Sequence, residues 1–240
     1  MLPVFLVDFL PTSGDIILDG DEARHAISVS RVKAGERLAF TDGKGARAEV
    51  EVIEVMKRSL TARIVIREEI KESETSLTVL QALTKGDRAR EAVELLTEAG
   101  VNQILPWSAA RSIGHWKDEE ESLDKWKTWA REATKQSRRS WIPSVEKLQS
   151  LDEAIQKFSQ FDLVLLFHEG SREKLSTVLQ GKLSKSVLII IGPEGGVTEE
   201  ESEKIVAAGA KIVSMGRPIF RSAHAGAAAL AAVQTGLGIW

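Results

Sequence analysis

Two kinds of hydrophobic spacing divide this chain. Over residues 1–72 apolar and polar positions alternate in short runs: Val4–Val7, Arg37–Thr41, Ala46–Val55 and Leu60–Arg67. Side chains of a strand point alternately to its two faces, so a period of two predicts half-buried strands. Asp42-Gly43 and Lys44-Gly45 punctuate the runs as turns. A small β domain, of barrel type, is the expectation. Glu68–Ser76 (EEIKESETS) is polar and acidic and reads as a linker.

Over residues 73–240 the period switches back and forth. Leu77–Leu83, Asn102–Trp107, Asp162–Phe167, Val187–Ile191 and Lys211–Met215 are short apolar runs, which suit buried strands. Between them lie stretches with helical spacing. Ala89, Ala92, Val93, Leu96 and Ala99 line one face and end at Gly100, a residue suited to close a helix. A long helix is expected near Leu123–Arg139. Thr198 and Glu201 form a capping box for another, closed by Gly209. Ser222–Leu237 is an Ala-rich final helix. Strands alternating with helices predict a parallel sheet covered on both faces. Domains of 1–72 and 73–240 follow.

Composition narrows the chemistry. The chain has 240 residues with 43% apolar and 28% charged, enough for packed cores without staples. No Cys or Tyr is present, which excludes disulfides, thiolate metal sites and both residue types as nucleophiles or bases. The four His are scattered, so no metal site is expected. No run approaches the length of a membrane span, and Asp8 interrupts the apolar start, so a soluble cytoplasmic protein is expected. With 32 Lys and Arg against 35 Asp and Glu, the net charge is −3, and bulk charge gives no reason to expect a polyanion.

Local charge does. Residues 125–143 carry six Lys and Arg against one Glu, and residues 24–67 carry ten against five Asp and Glu, each a local +5. In the first segment Trp126, Trp129, Ala130 and Ala133 form an apolar helical face, with Lys127, Arg131, Lys135, Arg138 and Arg139 roughly opposite. Such a face is often merely solvated. On a net acidic chain, two basic patches favour RNA.

Two Gly-bearing loops follow strands and precede helices. In Ile189–Gly196 (IIIGPEGG) a buried strand runs into a glycine-rich turn. Glycines there let backbone N–H groups approach a ligand, and open α/β sheets bind ligands at the carboxyl ends of strands. Glu194 in the turn would repel phosphate, and no Gly-Lys-Ser/Thr follows, which argues against a phosphate loop. The second loop is Met215–Ala225 (MGRPIFRSAHA), where Arg221, Ser222 and His224 gather at a helix start. One shared crevice is the economical reading, against the plainer one of an ordinary turn, a solvated arginine and a packed histidine.

At these residues the chain resembles the ribosomal RNA small-subunit methyltransferase E family. The family's Gly-Pro-Glu-Gly-Gly turn stands at Gly192–Gly196, with its following Glu at Glu201. Its Leu-Gly-Pro-Arg-Ile-Leu-Arg-Thr segment stands as Met215–Ser222. Its basic Gln-Ser-x-Arg helix matches Arg131–Arg139, its Lys-x-(Asp/Glu)-Arg segment Lys85–Arg88, and its Gly-Val turn Glu98–Val101. His25 and Arg31 match a His and an Arg of the family's amino-terminal domain. Differences are Ser222-Ala223-His224-Ala225 where the family has Thr-Glu-Thr-Ala, Val4 where many members have Arg, and Phe220 for Leu.

The resemblance implies an α/β protein: an amino-terminal PUA-like β-barrel domain and a carboxy-terminal SPOUT domain with a trefoil knot. It implies a cytoplasmic homodimer that uses S-adenosyl-L-methionine to methylate N3 of a uridine in 16S rRNA of the small ribosomal subunit. Residues implied at the cofactor are Leu166, Phe167, His168, Ile191, Gly192, Pro193, Glu194, Gly195, Gly196, Met215, Gly216, Ile219, Phe220, Arg221, Ser222 and Ala225. Arg221, Glu194 and His224 are the candidates for chemistry. His25, Arg31, Lys85, Arg88, Arg111, Arg131, Lys135, Arg138 and Arg139 are the candidates for RNA. Two rival readings stand: a SPOUT enzyme acting on another RNA, and a non-catalytic RNA-binding ribosome-assembly protein.

Overall fold

A computed structural model describes residues 2–181 and 184–240, and the chain forms two compact units. The first holds residues 1–72 together with Thr134–Ile142, the second Ser73–Ala133 with Pro143–Trp240.

In the first unit β1 (Val4–Leu6) and β2 (Asp15–Leu18) precede α1 (Gly20–Arg24), which runs into one π-helical turn at His25–Val29. Then come β3 (Arg37–Thr41), β4 (Ala46–Val55) and β5 (Leu60–Glu69). They form one sheet in the order β1-β3-β4-β5-β2. The ladder ends at β1 and β2, so among the described residues the barrel is open rather than closed. Alternation sets the faces: Ala46, Ala48, Val50 and Val52 of β4 are buried while Glu51 is exposed.

Residues Thr134–Ile142 are laid into this unit by specific contacts. The Gly45 N–H donates to Ser140 O, the Ile142 N–H to Gly43 O, and the Trp141 indole N–H to Ile70 O at 2.8 Å. Gly45 has φ +106, and a Cβ there would lie 2.6 Å from the Trp141 ring, so glycine alone fits. Lys135 Nζ lies 2.7 Å from Glu22 Oε1, with side chains only 10% and 15% exposed, and Glu22 Oε2 accepts the Leu6 N–H. Burial brings the Arg139 guanidinium down to about 10, against the pull of the Glu72 carboxylate.

The second unit is a parallel sheet of β6 (Ser76–Ala82), β7 (Gln103–Trp107), β8 (Ser144–Val145), β9 (Leu163–Phe167), β10 (Ser186–Ile191) and β11 (Lys211–Val213), in the order β11-β9-β10-β6-β7-β8. Its helices are α2 (Asp87–Glu98), α3 (Glu119–Gln136, whose last three residues belong to the first unit), α4 (Leu151–Ile155), α5 (Leu175–Leu179), α6 (Glu199–Ala207) and α7 (Ser222–Gly236). The β10 run faces two cores. Val187, Ile189 and Ile191 pack with Val93 and Leu96 of α2 and Leu230 and Val233 of α7. Leu188 and Ile190 pack in a separate cluster with Ile205 of α6. A strand buried on both faces reads as continuous apolar sequence, as seen.

Helix ends follow their local chemistry. The Thr198 hydroxyl accepts the Glu201 N–H while Glu201 Oε2 accepts from the Thr198 backbone, the predicted capping box. Gly100, at φ +93, closes α2, and the Val101 N–H reaches back to Leu96 O. The expected long helix begins earlier and ends earlier than its pattern predicts. It stops at Gln136, where Arg138 takes φ +59 and the Arg139 N–H bonds Thr134 O.

The Lys135–Glu22 pair is the most enclosed link of Thr134–Ile142 to its unit. Lys135→Met leaves Glu22 without its cation, and should lower stability by about 3 kcal/mol in urea denaturation. Adding Glu22→Gln should recover part of the loss, because the amide oxygen still accepts the Leu6 N–H. A change below about 0.5 kcal/mol would mean that Lys135 is a solvated surface charge.

Candidate active site

All strands of the second sheet are parallel, so their carboxyl ends share one edge, and the loops leaving β9, β10 and β11 meet there. They enclose a cavity of about 390 Å³, within the range of small-molecule sites. Three segments form it: Phe167–Glu169 after β9, Ile191–Val197 after β10, and Met215–Ala225 running into α7, with Arg88 of α2 at the margin.

The turn after β10 is held through its carbonyl groups. The Trp107 indole N–H donates to Ile191 O at 3.1 Å, and the Ser222 hydroxyl to Gly192 O at 2.7 Å. The Gly196 N–H closes on Pro193 O, and an Arg111 guanidinium N–H donates to Gly195 O at 3.1 Å. Glu201 Oε1 accepts the Ala110 N–H at 2.7 Å, which ties the loop carrying Arg111 to the start of α6. The glycines are required by packing. A Cβ on Gly192 would lie 2.6 Å from Val197 Cγ2, and Gly196 has φ +74.

Two charged groups stand in the cavity wall. Glu194 is largely buried: one oxygen lies 3.6 Å from an Arg88 guanidinium nitrogen, and Oε2 is enclosed with no hydrogen-bond partner among the described residues. An anionic oxygen left without a donor is costly, so the site suits a ligand that brings one. Arg221 immediately precedes α7 and has no ion pair among the described residues. Ile219, 75% exposed, and Phe220 put an apolar rim on the same loop.

Most residues that the sequence places at the crevice do line it: Phe167, His168, Ile191, Gly192, Pro193, Glu194, Gly196, Met215, Gly216, Ile219, Phe220, Arg221, Ser222 and Ala225. Leu166 does not. The alternation of β9 turns it into the core cluster with Ile190. Gly195 does not line it either, since its Cβ direction meets Arg111 Cβ at 3.0 Å. His224 lies outside the cavity lining, with Nε2 2.9 Å from Glu91 Oε1 on α2.

Of the basic candidates, Arg88 and Arg111 bond the turn or its Glu, and Lys85 is exposed on the loop before α2. In the first unit His25 and Arg31 are exposed and Arg138 is half-buried, whereas Lys135 is paired with Glu22. Arg131, on the second-unit part of α3, is half-buried. Sequence reasoning missed Trp107 and Gln81. Gln81 carried a signal, as a polar residue inside an apolar strand run.

A chain that carries such a strand-end cavity in one unit and a small β sheet in the other is defined by its matches as an RNA methyltransferase. Residues 71–234 match the model of an RNA methyltransferase domain, and residues 18–65 that of an RNA methyltransferase PUA domain. The chain is 35% identical to the ribosomal RNA small subunit methyltransferase E of Mycobacterium tuberculosis, over 96% of this chain and 90% of that protein. It is 28% identical to the Bacillus subtilis protein of the same name, over 90% of this chain and 88% of that one. The crystal structure of the Neisseria gonorrhoeae enzyme bound to S-adenosyl methionine aligns with a TM-score of 0.87 at 28% identity, covering 98% of both chains. The chain belongs to the ribosomal RNA small subunit methyltransferase E family.

The contact behind Gly192 gives a test of the turn. Gly192→Ala forces its methyl against Val197, and overpacking of this kind costs about 1–3 kcal/mol. A fall in Tm of several degrees is expected. Val197→Ala added to it should restore part of the loss by making room. If the double variant melts below the single by the full cost of the lost Val side chain, the two sites do not share the contact.

Proposed function

We propose that this protein transfers a methyl group from S-adenosyl-L-methionine to N3 of a uridine in 16S rRNA of the small ribosomal subunit, acting in the cytoplasm as a homodimer. The observation that carries this reading is the cavity at the sheet edge, where, among the described residues, a Glu194 carboxylate oxygen has no donor and Arg221 has no ion pair. Residues 1–72 would grip the RNA and residues 73–240 would carry the chemistry. Homodimerisation is supported by apolar side chains left at the surface of the second unit, among them Ile219, Phe220 and Trp240. A trefoil knot is supported by the path of the chain. It leaves β11 at the sheet's edge and returns as α7 to β10 and β6. No group of three or more metal-ligating side chains occurs among the described residues.

The residues fit the cofactor. Glu194 offers its enclosed Oε2 to a cationic or hydroxyl donor, and Phe167, Ile191, Pro193 and Ile219 offer apolar walls to a flat ring. When bound, the cofactor supplies an electrophilic methyl on sulfonium. Arg221 then acts on the nucleophile. Loss of the uridine N3 proton spreads negative charge over the flanking carbonyls, and a guanidinium beside them stabilises that anion. Arg221 has only donors and cannot take the proton. His224 is engaged with Glu91 outside the cavity lining, so the proton leaves to Glu194 or to water at the open rim.

Arg221→Ala should retain cofactor affinity, measured by calorimetry, and lose about 10²–10³-fold in single-turnover methylation of small subunits. Arg221→Lys should recover a fraction only, because a point charge lacks the planar fork. Parallel collapse of affinity and rate would place Arg221 in binding rather than chemistry. Wild-type methylation of another RNA in preference to small subunits would overturn the substrate.

Arg31 and Arg138 are the two non-glycine residues with positive φ among those described, at +55 and +59. Glycine suits that backbone better, so each Arg is kept at a conformational cost of about 1 kcal/mol. Arg31→Gly with Arg138→Gly should leave the melting temperature equal or higher. The same pair should weaken RNA binding and lower the log–log salt slope by roughly one per lost phosphate contact. An unchanged slope would return both to solvated surface positions.

A further inference from the structure

Gln81 is fully buried near the end of β6, beside Ile191 of β10 and Pro106 of β7 in register. A buried amide in an apolar strand is unfavourable unless its groups are bonded. Its Nε2 donates twice, to Ala82 O at 3.1 Å and to Ser222 Oγ at 3.2 Å. Because a backbone carbonyl only accepts, the bond to Ala82 fixes which end of the amide carries the protons. Oε1 has no hydrogen-bond partner among the described residues and lies 3.2 Å from where a Cβ on Gly226 would stand. The Ser222 oxygen accepts from Gln81, and its one proton goes to Gly192 O at 2.7 Å.

The result is a line from the central strand, through the first residue of α7, to the first residue of the glycine turn. Among the described residues, the Ser222–Gly192 bond is the side-chain hydrogen bond that joins the two loops facing each other across the cavity. The start of α7 has no side-chain cap, because its N-cap residue is Arg221, whose guanidinium has only donors. Arg221 is the residue immediately before it, so whatever holds Ser222 also holds the backbone that aims Arg221.

We propose that Gln81 is a positioning residue, which acts through the Ser222 hydroxyl to set the distance between the Gly192–Gly196 turn and the Arg221 backbone. The proposal rests on Arg221 acting on the developing anion, as argued above. Gln81 does not line the cavity. It differs from a core-packing residue in requiring a donor, not volume.

The test uses the full-length protein carrying Gln81→Met, Ser222→Ala, both together, or Ser222→Thr. Gln81→Met keeps the volume and removes the donor. Ser222→Ala is the milder change, since alanine suits a helix start within an Ala-rich helix, and it stands alone if Gln81→Met fails to fold. Each single variant should lower the single-turnover rate about tenfold, the effect of one lost buried hydrogen bond, with KM for small subunits within about twofold of wild type. Backbone amides of residues 223–226 should lose hydrogen-exchange protection in both. The double variant should be no worse than the poorer single, because the two act as one unit. Ser222→Thr, which keeps the hydroxyl, should recover most of the loss of Ser222→Ala.

Additive losses in the double variant, or Ser222→Thr as poor as Ser222→Ala, would overturn the relay. Unchanged exchange at 223–226 in Ser222→Ala would do the same without reference to activity. If Arg221→Ala retains full rate while the exchange changes appear as described, the relay holds the loop but the catalytic reading of Arg221 has failed.

Discussion

The site depends on the capture of carbonyl groups in one turn. Ile191, Gly192, Pro193 and Gly195 each present a carbonyl, and all four are engaged within the chain: by Trp107, Ser222, Gly196 and Arg111. An unengaged carbonyl at a ligand cavity would be an acceptor in the wrong place, and a buried one would be costly. With these taken, the turn offers a ligand its Glu194 carboxylate and its apolar walls. Three of the partners come from elsewhere in the chain: the last residue of β7, the loop after it and the first residue of α7. Only a parallel sheet, which delivers strand ends to one edge, brings them to the same turn.

How much of this was legible follows from range. Strands β6, β7, β9 and β10 are apolar runs, and helices α2, α6 and α7 carry their own spacing and end signals, so their existence could be read locally. The helices α4 and α5 and the strand β2 span five, five and four residues, too few for a periodic pattern to declare itself. Leu166 was placed at the cavity because it ends a strand near it. The strand's alternation turns Phe167 and Leu166 to opposite sides, and only the register decides which faces the site. His224 was grouped with Arg221 because they are three residues apart. Three residues is nearly a helical turn, but Arg221 lies before the helix and His224 within it, so one lines the cavity and the other meets α2.

Charge counting in a short window misses distant partners for the same reason. Residues 125–143 carry an excess of five positive charges, and the segment reads as a basic face. Lys135 finds its partner in Glu22, 113 residues away, and the Arg139 guanidinium is drawn out of water near Glu72. A window of twenty residues contains neither carboxylate. Of the first unit's basic candidates, Arg31 is exposed and Arg138 half-buried, and both occupy backbone positions that a purely structural demand would give to glycine.

The differences from the family's pattern fall where the site can absorb them. Ser222 replaces Thr, and the hydroxyl that both carry is the group bonded to Gly192. Phe220 replaces Leu, and remains an apolar side chain on the cavity rim. Ala223 replaces Glu at a position that is fully buried, where a carboxylate would need a partner, and an alanine needs none. His224 replaces Thr at a half-exposed position and takes Glu91 of α2 as partner. Arg221 and Gly192–Gly196, which match the family, carry the cation, the carboxylate and the close-packed glycines of the cavity. The substitutions therefore leave the binding surface of the second loop in place. The titratable changes are an acid lost at residue 223 and a histidine gained at 224, and both side chains stand outside the cavity lining.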